Sequence, residues 1–217
     1  MPLTLYGYRF SVYSRIARMA LHALDLPYQM VEVDPFADPP DPMLARVTRF
    51  GRVPVLDHDG FTLCETAAIT RYLASLNAVR ALVPDDPKAR ARMDQVIAVI
   101  DAYGYWPMVR QVFSHGVFRL LLGAEADPKM IAAGLADARP VLAQLEEIAV
   151  EGQVLNGQYM TLADIHLAPM LDYFTAAPQG ADAVTRHSAL SRWWAQAQAD
   201  PAYIATDPGL ATLTAQA

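Results

Sequence analysis

Hydrophobic positions in the first third of the chain alternate between the short runs of strands and the spacing of a helix. Residues 3–7 and 28–33 carry short apolar runs typical of strands, with helical spacing between them. This pattern predicts a strand, a helix and a second strand, in that order. Residues 34–42 contain four prolines and are expected to form an irregular, exposed loop. The apolar positions that recur at helical spacing are Ile16, Met19, Ala20, Ala23 and Leu24.

The stretch of residues 51–73 predicts a strand, a tight turn, a second strand and a helix. Apolar residues surround Pro54, and residues 58–60 have the His-Asp-Gly sequence of a turn. A proline cannot donate to a strand ladder, so Pro54 should lie at the strand's first position or at an edge. A helical pattern then opens at Glu65 and Thr66.

Every element predicted beyond a linker at residues 79–87 is a helix. One long segment, residues 88–122, contains Gly104 and Pro107, and an internal proline is expected to kink or break it. The chain is therefore predicted to have a first domain at 1–78 and a helical domain at 88–217. The further helical signals are a start at Asp127-Pro128, a bend at Pro140 and a short helix at residues 190–199.

Thr161 and Asp164 form a second recognisable signature. They precede an apolar run at the spacing of an N-capping box, with Asp in place of the usual Glu, and Met160 and Ile165 flank them as a hydrophobic staple. We assign Thr161 and Asp164 to folding and not to chemistry.

Composition excludes several classes of protein. The chain has 217 residues, a net charge of −6 and 53% hydrophobic residues, as expected for a globular protein. Because basic residues do not cluster beyond residues 88–92, nucleic acid is not expected as a partner. The sequence predicts neither a membrane helix nor a signal peptide. One cysteine excludes an internal disulfide and favours a cytoplasmic location.

The residue types near two predicted helix starts suit the binding of anions. Ser11 lies where the first helix should begin, and a hydroxyl there can donate to an anion that the helix dipole also favours. Thr66 offers a hydroxyl and a backbone N–H, which both suit a carboxylate. If the bond before Pro54 is cis, Val53 can turn its N–H and C=O toward a ligand. The segment of residues 51–73 can then bind an extended peptide with a terminal carboxylate.

These features resemble the glutathione transferase superfamily. The segment Val-Pro-Val-Leu at 53–56, the pair Glu65-Thr66 and the helix pattern A-I-x-x-Y-L at 68–73 are similar to its thioredoxin-like domain. Residues 11–21 resemble the serine-type pattern S-P-x-x-x-K/R-x-R-x-A-L, with Val12 in place of the proline. The capping box at 161–164 resembles the family's C-terminal domain. The first of these matches covers about the first 76 residues.

The resemblance implies an α/β plus all-α fold, with a thioredoxin-like βαβ-ββα domain followed by an all-helical domain. It also implies that Ser11 activates the thiol of glutathione as thiolate, with Arg15 on the same helix face in support. The other hydroxyls that remain candidates are Tyr6, Tyr8, Tyr13 and Ser14. Cys64 is interpreted as a small buried hydrophobe.

The resemblance further assigns glutathione contacts. Val53, next to Pro54, would pair through its backbone with the cysteinyl unit. Glu65 would bind the γ-glutamyl amine and Thr66 the carboxylate. Arg52 would lie near the glycyl carboxylate, with Arg49 assisting. Glutathione enters as a co-substrate, and no metal is implied.

A hydrophobic electrophile is the expected second substrate. The aromatic stretch that includes Tyr103, Trp106 and Arg110 is expected to line its pocket in the helical domain. The resemblance implies a transferase of alkyl or aryl groups with a role in detoxification, and a homodimer. Two alternatives remain open: a non-catalytic glutathione-fold module that binds a ligand or partner, and a glutathione-dependent isomerase.

Overall fold

A computed structural model describes residues 2–39, 41–77 and 79–210. The chain forms two compact units. Unit 1 contains Met1–Ala81 together with Ala205–Pro208, and unit 2 contains Leu82–Ile204 and Gly209–Ala217. Pro40, in the proline-rich segment, lies outside the described residues, as do Met1, Ala78 and residues 211–217.

Unit 1 is built on a four-stranded sheet of order β2-β1-β3-β4. Strand β1 is parallel to β2 and antiparallel to β3, and β3 is antiparallel to β4. The predicted thioredoxin-like arrangement is confirmed. The bounds are β1 Leu3–Gly7, α1 Val12–Ala23, β2 Tyr28–Glu32, α2 Pro42–Val47, β3 Val55–His58, β4 Phe61–Cys64 and α3 Thr66–Leu76.

The position of Pro54 follows from its missing N–H. Strand β3 is central in the sheet and begins one residue later, at Val55. Pro54 therefore precedes the ladder and removes no bond from it.

Helix α2 corrects the expectation that the irregular loop extends through residue 42, because the helix already begins at Pro42. The Asp41 carboxylate caps this helix by accepting a hydrogen bond from the N–H of Met43 at 2.8 Å. Pro42 occupies the first turn, where a missing N–H costs nothing. Pro35 and Pro39 do lie outside helices and strands, so the error concerns only where the loop ends.

Unit 2 contains only helical elements among the residues that the structure describes. Its bounds are α4 Pro87–Val99, two π-helical segments at Ile100–Gly104 and Trp106–Phe118, α5 Arg119–Leu121, α6 Pro128–Glu151, α7 Leu162–Ala176, α8 Pro178–Thr185, α9 Ser188–Ala197 and α10 Pro201–Ala205. Helices α8 and α10 were not predicted from the sequence. None of the described helices has the length and apolar character needed to cross a membrane.

The predicted interruption at Gly104 and Pro107 takes the form of a change in hydrogen bonding. The chain stays helical there but widens to the i→i+5 pattern of a π-helix. One row of buried residues with four-residue spacing runs through this region, beside other buried residues. The row consists of Val96, Ile100, Gly104, Met108 and Val112.

The capping box at Thr161 is confirmed and extends into the core of unit 2. The Asp164 carboxylate accepts hydrogen bonds from the Thr161 N–H at 2.8 Å and from its hydroxyl at 2.6 Å. It also accepts one from the Trp193 indole N–H at 2.6 Å. Burial raises the pKa of Asp164, while these donors act in the opposite direction. The box thus ties α7 to α9 by a buried network.

Candidate active site

The strand register brings the predicted site residues of unit 1 to one end of the sheet. Tyr6 of β1 lies opposite Val55 of β3, and Val55 lies opposite Cys64 of β4. Continuing this register places Pro54 beside Glu65, at the end where β1 leads into Ser11. Helices α1 and α3 both begin at this end. Two helix N-termini therefore converge where an anionic ligand can bind.

Ser11 is the N-cap of α1 and remains partly exposed. Its hydroxyl oxygen accepts a hydrogen bond from the Ser14 N–H at 3.2 Å. Its own N–H donates to the carbonyl of Tyr8 at 2.9 Å, which closes the loop after β1. The hydroxyl is thus held at the positive end of a helix, where a thiolate would be stabilised.

Ser14 lies behind this loop and not at its surface. Its side chain is fully buried, and its Oγ accepts a hydrogen bond from the Tyr8 N–H at 3.2 Å. A Cβ built on Gly7 would lie only 3.0 Å from that Oγ. Ser14 is therefore enclosed by the end of β1, in a position unlike that of Ser11.

Tyr6, Tyr8 and Tyr13 are all partly exposed. Burial raises the pKa of the Tyr8 hydroxyl, and the carboxylates of Asp34 and Glu32 raise it further. A higher pKa makes this hydroxyl a weaker donor to a thiolate. Of the alternatives to Ser11, Tyr8 thus has surroundings poorly suited to the role.

Glu65 has an unusual backbone conformation, with φ 70° and ψ 115°. Such conformations cost about 1–3 kcal/mol in non-glycine residues and cluster at ligand sites. The Glu65 side chain is exposed, and its carbonyl accepts the first hydrogen bond of α3, from the Ile69 N–H at 2.9 Å. Thr66 is the first residue of α3 and is buried, so its N–H is among those without a partner within the helix.

The Val53–Pro54 peptide bond is cis, which answers the question left open by the sequence. Pro54 is buried and Val53 is partly exposed. Arg52 and Arg49 are both exposed on the segment before β3. Their contacts to a ligand stay predictions.

Arg15 is buried, which its spacing from Ser11 does not indicate. It begins the second turn of α1 but is only 1% exposed. Its role stays a prediction.

Tyr103, Trp106 and Arg110 belong to the π-helical part of unit 2. All three are exposed, Tyr103 by 68% and Trp106 by 57%. Arg110 comes four positions after Trp106, so the two exposed side chains lie on the same side of the helix. All three side chains are thus exposed on unit 2, and contact with a substrate stays a prediction.

Arg9 carries no motif signal, yet it is fixed beside Ser11. Its N–H donates to the Glu32 carboxylate at 2.7 Å, and its Nε donates to the Pro208 carbonyl at 2.7 Å. These partners come from distant parts of the sequence, so no local pattern could identify them. No group of three or more His, Cys, Asp or Glu side chains that could hold a metal ion occurs within residues 2–39, 41–77 and 79–210.

A four-stranded mixed sheet with two helix N-termini at one end, and a separate helical unit, define a protein of the thioredoxin-like two-domain class. Residues 5–81 match the family model of the glutathione S-transferase N-terminal domain. Residues 106–201 match the model of the glutathione S-transferase C-terminal domain. The chain belongs to the glutathione S-transferase superfamily.

Individual relatives agree with this assignment. Glutathione S-transferase F13 of Arabidopsis thaliana is 27% identical over 97% of both chains. Glutathione S-transferase theta-1 of Mus musculus is 31% identical over 71% of this chain and 65% of its own. The solved structure of glutathione S-transferase III in its apo form has a TM-score of 0.83 and 27% identity, covering 97% of both chains.

Proposed function

We propose that this protein is a glutathione transferase of the serine type, in which the Ser11 hydroxyl donates a hydrogen bond to the glutathione sulfur. The observation that carries the proposal is the partly exposed Ser11 hydroxyl at the N-terminus of α1, at the same end of the sheet as Glu65 and Thr66. A free thiol has a pKa of about 8.5, so it is mostly protonated at neutral pH. A hydroxyl donor and a helix dipole both favour the anion.

The reaction needs no further cofactor. The thiol proton leaves to solvent, and the thiolate forms a bond to an electrophilic carbon. Where that carbon carries a leaving group, the group departs with its bonding electron pair. Where it belongs to a double bond, the π electrons move to the neighbouring atom, which takes up a proton from solvent. Arg15 would support the thiolate through its buried charge.

Glutathione would bind along the unit from Arg52 to Thr66. Val53 would pair with the cysteinyl backbone, while the exposed Glu65 carboxylate would bind the γ-glutamyl amine. The N–H and hydroxyl of Thr66, at the start of α3, would bind the γ-glutamyl carboxylate. Arg52 would lie near the glycyl carboxylate.

The second substrate would be a hydrophobic electrophile that contacts Tyr103 and Trp106, with Arg110 beside them. Exposed aromatic rings on a helix face are suited to binding a planar apolar molecule. A cytoplasmic homodimer is the working state that we propose. A single cysteine favours the reducing compartment, and the family resemblance supports the dimer.

The test is a titration of bound glutathione, following thiolate absorbance against pH in the wild type and in Ser11→Ala. We expect an apparent pKa well below 8.5 in the wild type and a value near 8.5 in the variant. A depressed pKa that survives the substitution would move the role to Tyr6, Tyr8 or Tyr13. If the wild type fails to bind glutathione, or binds it with an unshifted thiol, the protein is a non-catalytic module.

A further inference from the structure

The loop and helix that present Ser11 hold a distant segment of the chain by its main-chain carbonyls. The Nε of Arg9 donates to the carbonyl of Pro208 at 2.7 Å. The Nη1 of Arg18 donates to the carbonyl of Thr206 at 3.5 Å. Residues 205–208 belong to unit 1, although they lie near the end of the sequence.

Arg9 is the first of the two central residues in the turn that ends at Ser11. The Ser11 N–H donates to the Tyr8 carbonyl at 2.9 Å, so residues 8–11 form a hydrogen-bonded turn. The Arg9 N–H is bound by the Glu32 carboxylate at 2.7 Å. Its guanidinium lies 5.4 Å from the centre of the Phe10 ring. The backbone of Arg9 is thus held by Glu32, while its side chain is held by Pro208 and lies against the Phe10 ring.

Arg18 extends the same contact along α1. It is seven residues beyond Ser11, which places both on one face of the helix. Its partner Thr206 is fully buried. Residues 205–208 therefore contact both the turn before Ser11 and the helix that Ser11 caps.

We propose that residues 205–208 are a brace that positions the Ser11 hydroxyl, and that Arg9 is the positioning residue through which the brace acts. Arg9 does not touch the sulfur. It holds the turn whose last residue donates to it. Small displacements of a catalytic group are costly, because a shift of about 1 Å can reduce the rate by up to 100-fold. The inference rests on the proposed role of Ser11.

The first test is Arg9→Ala, with Arg80→Ala as its matched control. Arg80 also donates to a carbonyl of unit 1, that of Ala23 at 3.1 Å, and pairs with Asp25, but these contacts lie at the C-terminal end of α1, away from Ser11. We expect Arg9→Ala to raise the pKa of the bound thiol toward 8.5 and to lower kcat on the order of tenfold. The KM for glutathione should change by less than about twofold, since its other contacts are intact. Arg80→Ala should match the wild type in all three.

The second test removes the carbonyl partners. A chain that ends after Ile204 lacks the brace, and a chain that ends after Leu210 keeps it. The shorter chain should reproduce the effect of Arg9→Ala, and adding Arg9→Ala to it should change nothing more. Arg9→Lys, which keeps a donor, should recover part of kcat in the full chain.

The outcomes separate the two proposals. If Ser11→Ala raises the pKa of the thiol and Arg9→Ala leaves both that pKa and kcat unchanged, the brace is wrong and the role of Ser11 stands. If the wild type shows no depressed pKa, both are wrong. A lower melting temperature with an unchanged thiol pKa in Arg9→Ala would show a structural role alone and would also overturn the brace.

Discussion

The Ser11 hydroxyl oxygen accepts a hydrogen bond from the Ser14 N–H at 3.2 Å, so the side chain proposed to act on sulfur also caps α1. The two roles use different parts of the group. The cap uses a lone pair of the oxygen, and the sulfur contact uses the hydroxyl proton. Stability and activity can therefore be separated at this position by choosing the replacement.

Ser11→Asp and Ser11→Ala should separate them. Aspartate is as good an N-cap as serine, so Ser11→Asp should keep nearly wild-type stability, whereas Ser11→Ala should lose about 1 kcal/mol. Activity should fall in both variants, and further in Ser11→Asp, because its negative charge opposes a thiolate. Urea unfolding and the rate of conjugation measure the two effects. Equal activity in the two variants would contradict a thiolate near residue 11.

Two substitutions of Glu65 should differ in stability while both weaken the binding of glutathione. Its φ of 70° suits glycine better than any other residue. Glu65→Gly should therefore be about 1 kcal/mol more stable than Glu65→Ala, the reverse of their usual order. Both should bind glutathione more weakly than the wild type, because both lack the carboxylate.

The measurements for Glu65 are urea unfolding and the KM for each substrate. Glu65→Ala should raise the KM for glutathione far more than that for the electrophile. Equal effects on the two KM values would argue against an amine contact.

Glu146 should make part of the stability depend on pH. Its carboxylate accepts hydrogen bonds from the N–H groups of Ala189 at 3.0 Å and Leu190 at 2.8 Å, in the first turn of α9. Burial raises its pKa, but these bonds outweigh that effect, and the pKa lies below its ordinary value. The stabilisation is therefore present above the unfolded pKa of about 4.3 and is lost as pH falls through the lower folded pKa.

Glu146→Gln is the comparison for this effect. At pH 7 it should be less stable than the wild type by about 1 kcal/mol. That difference in free energy of unfolding should shrink between pH 5 and pH 3. A difference that stays constant with pH would exclude the charge of Glu146 as its source.

Two buried glycines of unit 2 should respond oppositely to alanine. A Cβ on Gly134 of α6 would lie 2.7 Å from the carbonyl oxygen of Pro107, so Gly134→Ala should cost about 1–3 kcal/mol. A Cβ on Gly104 would meet no atom closer than 3.6 Å, so Gly104→Ala should be neutral or stabilise by up to about 1 kcal/mol. Thermal unfolding of both variants checks the pair. Equal losses would mean that Gly104 is needed for the wide helical turns.

The sequence predicts most of unit 1 because its signals are local and agree with one another. Turn residues at 58–60, the proline before β3 and the helix start at Thr66 all favour the same arrangement. Helix α2 was missed because four prolines suggest a loop, although an Asp followed by Pro is itself a helix-start signal.

What the sequence does not predict depends on contacts between distant residues. Ser11 and Ser14 are alike as residue types, and only the approach of Tyr8 and Gly7 buries the second. The burial of Arg15 and the partner of Arg9 likewise require the folded chain. The wide helical turns were missed for another reason, since a helix template of 3.6 residues per turn does not test for the wider turn of a π-helix.

The π-helical segments allow the chain to lose a residue without losing the helix. Each of their turns holds more residues than an α-turn, so removing one residue there can restore α geometry without breaking the helix. Residues on either side of the deletion would keep their places, because the turn loses the residue that made it wide. A deletion between Trp106 and Arg110 would leave these two side chains three positions apart, which are neighbouring positions on an α-helix. A relative with one residue fewer there would thus keep the helix and its flanking residues and change only the spacing of the exposed side chains.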